Sequence, residues 1–68
     1  MNYGEIIIKL RAKLNVTQDV LAKKLSVSFA TINRWENGHV VPSKRYIYIL
    51  EQLCKENNID WSVRNLYE

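Results

Sequence analysis

Within SFATINRWENG, residues 28–38, five polar or apolar side chains fall on one side of a short helical stretch. At 100° per residue, Ser28, Ile32 and Trp35 lie within about 60° of one another and face a core, while Ala30, Asn33, Arg34 and Asn37 fall opposite, with Phe29 at the edge. The outward groups share one kind of chemistry. A guanidinium such as Arg34 donates two parallel hydrogen bonds and matches guanine O6 and N7. An amide such as Asn33 holds a donor and an acceptor side by side and matches adenine N6 and N7. Phe29 and Ala30 suit a thymine methyl. These groups recognise; they do not break bonds. A plain surface is the alternative at each position: a solvated Arg34, an ordinary polar Asn33, a Phe29 partly buried against the helix before it. A helix that only packs, however, needs no particular chemistry on its outer face.

Nothing else in the chain supplies a reaction centre. There is no nucleophile–base–orienter set, no glycine-rich phosphate loop and no carboxylate cluster, so no enzyme is expected. One histidine, His39, and one cysteine, Cys54, cannot make a zinc set, and no metal or cofactor is implied. A lone cysteine allows no internal disulfide and suits a reducing cytoplasm, the expected location. Cys54 itself reads as a small buried apolar residue. No apolar run approaches the ~18 residues of a membrane span, and MNYGEIIIKLR lacks the basic start of a leader, so no membrane is expected. Ten Lys and Arg against seven Asp and Glu give a net charge of +3, a mild lean toward an acidic partner.

The elements that must hold this face are all helical by periodicity. The chain has 68 residues, read as one domain over 1–68. A first helix, about Tyr3–Leu14, carries the apolar stripe Tyr3, Ile7, Leu10 and Leu14, widened by Ile6 and Ile8. Thr17 caps a second, about Gln18–Leu25, with Leu21, Ala22 and Leu25 inward. Lys23 and Lys24 point to solvent. Ser28 caps the third, and Asn37-Gly38 stops it, with Gly38 in the left-handed position. After the loop His39–Pro42, Ser43 caps a fourth helix, about Lys44–Asn57, with Ile47, Leu50, Leu53 and Cys54 inward; Tyr46, Tyr48 and Ile49 fall off that stripe. Asp60 opens a short fifth helix, Trp61–Leu66. The fold class is therefore all-α, a bundle of four to five short helices. A short turn joins the second and third, and the small Ala22 lets them approach. That is the pattern of a helix-turn-helix, whose second helix enters a DNA major groove.

LRAKLNVTQDVLAKKLSVSFATINRWENGHVVPS resembles the lambda-repressor-like helix-turn-helix family of phage repressors, Cro proteins and xenobiotic-response-element-type regulators. The matching positions are Arg11, Leu14, Gln18, Leu21-Ala22, Leu25, Val27, Ile32, Trp35-Glu36-Asn37-Gly38 and Pro42. Two features depart: Ser26 stands where the family often has glycine, and the Cys54–Asn58 stretch is longer than in the shortest members. The resemblance implies a double-stranded DNA partner and base contacts from Phe29, Ala30, Asn33 and Arg34. It also implies a structural pair between Arg11 and Glu36, and a phosphate contact at Gln18. Ser28, Asn37, Lys44 and Arg45 would flank the groove and meet phosphate as well. Cations in the first turn of a helix are unfavourable by themselves, which adds weight to Lys44 and Arg45. For His39, a solvated loop and a phosphate contact both stand.

The expected function is a sequence-specific, repressor-like transcriptional regulator acting as a homodimer. Alternatives are the DNA-binding part of a toxin–antitoxin or restriction–modification control system, or of a longer repressor. From another class comes a protein-interaction module without DNA binding.

Overall fold

A computed structural model describes residues 2–61. Among these residues there are four helices and no strand: α1 Tyr3–Leu14, α2 Gln18–Leu25, α3 Phe29–Glu36 and α4 Lys44–Glu56. The all-α class read from periodicity is the class adopted.

Helix boundaries follow from short polar side chains that meet orphan backbone groups. Asn2 caps α1, its Oδ1 accepting from the Glu5 N–H at 2.9 Å. Thr17 caps α2, with Oγ1 accepting from Val20 N–H at 3.2 Å. Ser28 caps α3, with Oγ accepting from Thr31 N–H at 3.1 Å. Ser28 and Asn37 are thus the caps of α3 rather than its ends. Ser43 occupies the α4 cap position but makes no side-chain bond, so the first-turn amides of α4 have no side-chain acceptor. Left-handed residues close or follow all four helices: Asn15 at φ 58°, Ser26 at φ 59°, Gly38 at φ 76° and Asn58 at φ 58°. At Ser26 a non-glycine residue holds this conformation at a strain of roughly 1 kcal/mol. In return the Val27 N–H reaches the Ala22 carbonyl at 3.0 Å and turns the chain sharply into α3.

The core sits where α1 and α2 cover the inner side of α3, with α4 closing against α1. Tyr3, Ile6, Ile7 and Leu10 of α1 meet Leu21, Ala22 and Leu25 of α2, Ile32 and Trp35 of α3, and Leu50 and Cys54 of α4. Burial holds the Cys54 thiol up, at about 11 against an ordinary 9, with Glu51 adding to the effect; it is a protonated packing residue. Gly4 marks the tightest contact. A Cβ there would lie 2.6 Å from the Glu36 carbonyl oxygen and 2.9 Å from that of Trp35. The start of α1 therefore rests directly on the end of α3.

Several expectations are corrected by this packing. Ile8, read as widening the core face, is 46% exposed, because it falls on the far side from Ile6 and Ile7. Ser28, grouped by the helical wheel with Ile32 and Trp35, is exposed: it precedes the helix, where the wheel does not apply. Ile47 and Leu53 are half-buried rather than central. Tyr46, off the predicted stripe, packs its ring on Trp35 at 5.5 Å between centroids and ties α4 to α3. Trp61 stacks at a tilt on Tyr3, 5.9 Å between centroids, and is not helical itself. The rest of the expected fifth helix, residues 62–66, lies outside the described residues.

Candidate nucleic-acid interface

Three features set the outer face of α3: its short length, its two caps and its anchors. Ile32 is fully buried and Trp35 nearly so, which fixes the rotation of the helix about its axis. With that rotation fixed, Phe29, Ala30 and Arg34 are all exposed, Phe29 at 53%. No contact with α2 hides the Phe29 ring to the degree seen for the core aromatics. Phe29 is thus a single open ring on an otherwise polar helix face. Arg34 has no carboxylate partner among the salt bridges of the described residues, so its five donors are available.

Asn33 is placed differently. It is half-buried and engaged from both sides. Its Nδ2 donates to Gln18 Oε1 at 3.5 Å, a long bond, and its Oδ1 accepts from Asn37 Nδ2 at 3.0 Å. Gln18 in turn donates Nε2 to Glu36 Oε1 at 2.8 Å. Arg11 approaches the same carboxylate in a fork, with Nε to Oε2 at 2.5 Å and Nη2 to Oε1 at 3.0 Å. Its Nη1 also reaches the Val16 carbonyl at 3.3 Å. The Glu36 side chain is 5% exposed and that of Arg11 24%, so the pair is largely shielded from water. The hydrogen bonds that Arg11 donates to Glu36 raise its pKa above its ordinary value and keep the guanidinium charged. Arg11, Glu36, Gln18, Asn33 and Asn37 thus form one polar chain that runs from α1, across the start of α2, to the outer face of α3.

The remaining candidates lie around this chain. Ser28 Oγ pairs with Thr31 Oγ1 at 2.9 Å beside its cap bond, at the exposed start of α3. Lys44 and Arg45 are exposed in the first turn of α4, and the Arg45 guanidinium sits 5.8 Å over the Tyr46 ring. Because Tyr46 packs on Trp35, this brings the α4 basic pair to the α3 end of the fold. His39 is exposed in the loop, its N–H donating to the Arg34 carbonyl at 3.0 Å. Lys23 is paired with Asp19 at 3.3 Å on the outside of α2, an exposed contact of small energetic value. Lys24 is exposed.

Two contributors were not legible beforehand. Gly4 has no side chain to advertise it; its signal is a glycine on the inward face of a helix, between Tyr3 and Ile7. The second is the role of Gln18 as a bridge, which needs α2 and α3 to be placed before it exists. Among the described residues no group of His, Cys, Asp and Glu could hold a metal, and no helix is long and apolar enough to cross a membrane.

The α2–turn–α3 geometry, the αL turn at Ser26 and the outward polar face of α3 are those of a helix-turn-helix, and a family model described as helix-turn-helix matches residues 7–61. The chain belongs to the Cro-type, XRE-like helix-turn-helix family. No curated protein and no solved structure gives a significant match. The match spans α2, the turn, α3 and α4 entirely, together with α1 from Ile7 onward. As a helix-turn-helix protein the chain is a DNA-binding regulator, and α3 is the second helix of its motif. This is a family of DNA-binding regulators whose members are not typically enzymes.

Proposed function

We propose that the chain, as one domain over residues 1–68, is a sequence-specific repressor-like regulator that binds double-stranded operator DNA as a homodimer. The observation that carries this reading is the outer face of α3. Its rotation is fixed by Ile32 and Trp35, and it turns Phe29, Ala30 and Arg34 to solvent without internal partners. In the major groove Arg34 reads guanine, Asn33 adenine, and Phe29 and Ala30 meet thymine methyl groups. Ser28 and Asn37 at the two ends of α3, and Lys44 and Arg45 on α4, contact phosphate and set the register of the helix in the groove. Gln18, at the positive end of α2, borders the same phosphates.

Dimerisation is supported by two facts. A single module of this size covers little DNA and binds it weakly. The outer side of α4 also keeps apolar surface, with Tyr48 64% exposed. In the dimer, two copies of α3 lie about 34 Å apart, one turn of the duplex, and the operator is a palindrome of matching spacing.

The test is selection from a library of random DNA duplexes. A two-fold symmetric motif with half-sites one turn apart is the expected product; enrichment of no motif contradicts the reading. Two variants refine it. Arg34→Ala is expected to weaken binding to the selected duplex by about 1–3 kcal/mol and to relax preference at one base pair of each half-site. Equal affinity of Arg34→Ala for every duplex would remove Arg34 from the reading face. Lys44→Ala is expected to weaken all duplexes alike and to flatten the plot of log affinity against log salt by about one unit. An unchanged slope would remove Lys44 from the phosphate contacts.

A further inference from the structure

The polar chain through Gln18 has a direction. An ionised carboxylate accepts and never donates. Glu36 Oε1 therefore requires the nitrogen end of the Gln18 amide, which it receives at 2.8 Å. That leaves Gln18 Oε1 turned toward Asn33, where it can only accept, so Asn33 presents Nδ2 to it. Asn33 Oδ1 is then on the opposite side and takes the Asn37 Nδ2 proton at 3.0 Å. An isolated amide flips between two nearly equivalent orientations. Here one charge, held in turn by Arg11, sets the sense of three amides in succession. Asn33 retains one N–H and one carbonyl lone pair, a donor and an acceptor in a fixed order along the outer face of α3.

We propose that Gln18 is a positioning residue for base recognition: it transmits the demand of the Glu36 carboxylate to Asn33 and so fixes which side of the Asn33 amide donates and which accepts. This rests on the proposal above that α3 reads DNA. It gives Gln18 a task beyond a phosphate contact: one Nε2 hydrogen goes to Glu36 and Oε1 faces Asn33, while the second Nε2 hydrogen stays open to phosphate. Specificity at the Asn33 base pair is then determined partly by a residue on another helix.

The experiment takes the wild type, Gln18→Ala, Gln18→Met, Asn33→Ala and the Gln18→Ala/Asn33→Ala double variant. Circular dichroism first identifies the Gln18 variants that remain folded, Met preserving the length of the side chain without its polar ends. Each protein is put through selection from random duplexes. Each is then titrated by fluorescence anisotropy against the best wild-type duplex, its single-base variants and a scrambled duplex. Asn33→Ala is expected to relax one base pair per half-site. Both Gln18 variants should relax that same base pair, by about tenfold in discrimination, over and above any loss shared with the scrambled duplex. The double variant should discriminate no worse than Asn33→Ala alone. An equal loss on every duplex, scrambled included, makes Gln18 a phosphate contact and overturns the inference. Losses that add in the double variant overturn it too, as does an Asn33→Ala profile identical to wild type. A wild type that selects no sequence overturns the DNA-reading proposal itself, and this inference with it.

Discussion

Glu36→Ala is expected to destabilise the folded chain by about 3 kcal/mol, the lower end of what is lost when a shielded ion pair is broken. The physical reason is the group left behind. Arg11 stays charged, its side chain only 24% exposed, and loses both arms of its fork. Gln18 loses its acceptor as well. For a domain of this size 1 kcal/mol moves the melting temperature by about 4–8 °C, so a fall of more than about 10 °C is expected in a thermal melt. Such domains hold only about 5 kcal/mol in all, so Glu36→Ala keeps about 2 kcal/mol and an unfolded population of a few per cent. A melt within two or three degrees of wild type would show that the pair contributes little. The companion Arg11→Met/Glu36→Leu variant removes both charges together. It should melt well above Glu36→Ala, since an apolar pair strands no charge.

Gly4→Ala is the second large effect, and its sign is diagnostic. In a helix interior, exchanging glycine for alanine ordinarily stabilises by about 1 kcal/mol. At Gly4 the added Cβ meets the Glu36 carbonyl oxygen at 2.6 Å and that of Trp35 at 2.9 Å. Both obstacles are backbone, which cannot swing aside as a side-chain tip can. Either α1 lifts off α3, uncovering Tyr3 and Ile7, or the last turn of α3 shifts and carries the Glu36 side chain with it. Overpacking of this kind costs about 1–3 kcal/mol, enough to reverse the helical gain. The expected result in denaturant unfolding is a lower midpoint at unchanged slope. A raised midpoint would mean that α1 and α3 do not approach as described.

These two residues also mark where sequence reasoning stops. The four helices were legible because local signals agree: apolar spacing, the caps Thr17 and Ser28, and the stop at Gly38. The inward anchors of α3, Ile32 and Trp35, were legible because both are large, apolar and three residues apart, and both are buried. Ile8 misled for the opposite reason. Three successive isoleucines cannot all face one way on a helix, and composition does not say which is left out. The close approach at Gly4 belongs to the pairing of α1 with α3, not to either helix. The Gln18–Asn33 contact is of the same kind: two amides on different helices become partners only once Ala22 and the Ser26 turn have set the distance. Asn33 looked like a free reader of bases on the wheel, yet it is half-buried and held from both sides. Tyr46 fell off the predicted stripe because its partner, Trp35, belongs to α3 and not to α4's own core face.

The central claim is that the outer face of α3 reads sequence while basic residues beside it grip phosphate. One measurement bears on it most directly. Fluorescence-anisotropy titration of a selected duplex and its scrambled counterpart, repeated across a salt series, separates the two contributions. Sequence reading should appear as an affinity ratio of about 10³ or more between the duplexes. Phosphate binding should appear as a linear fall in log affinity with log salt for both, with similar slopes. Equal affinities for the two duplexes, or binding indifferent to salt, would contradict the account.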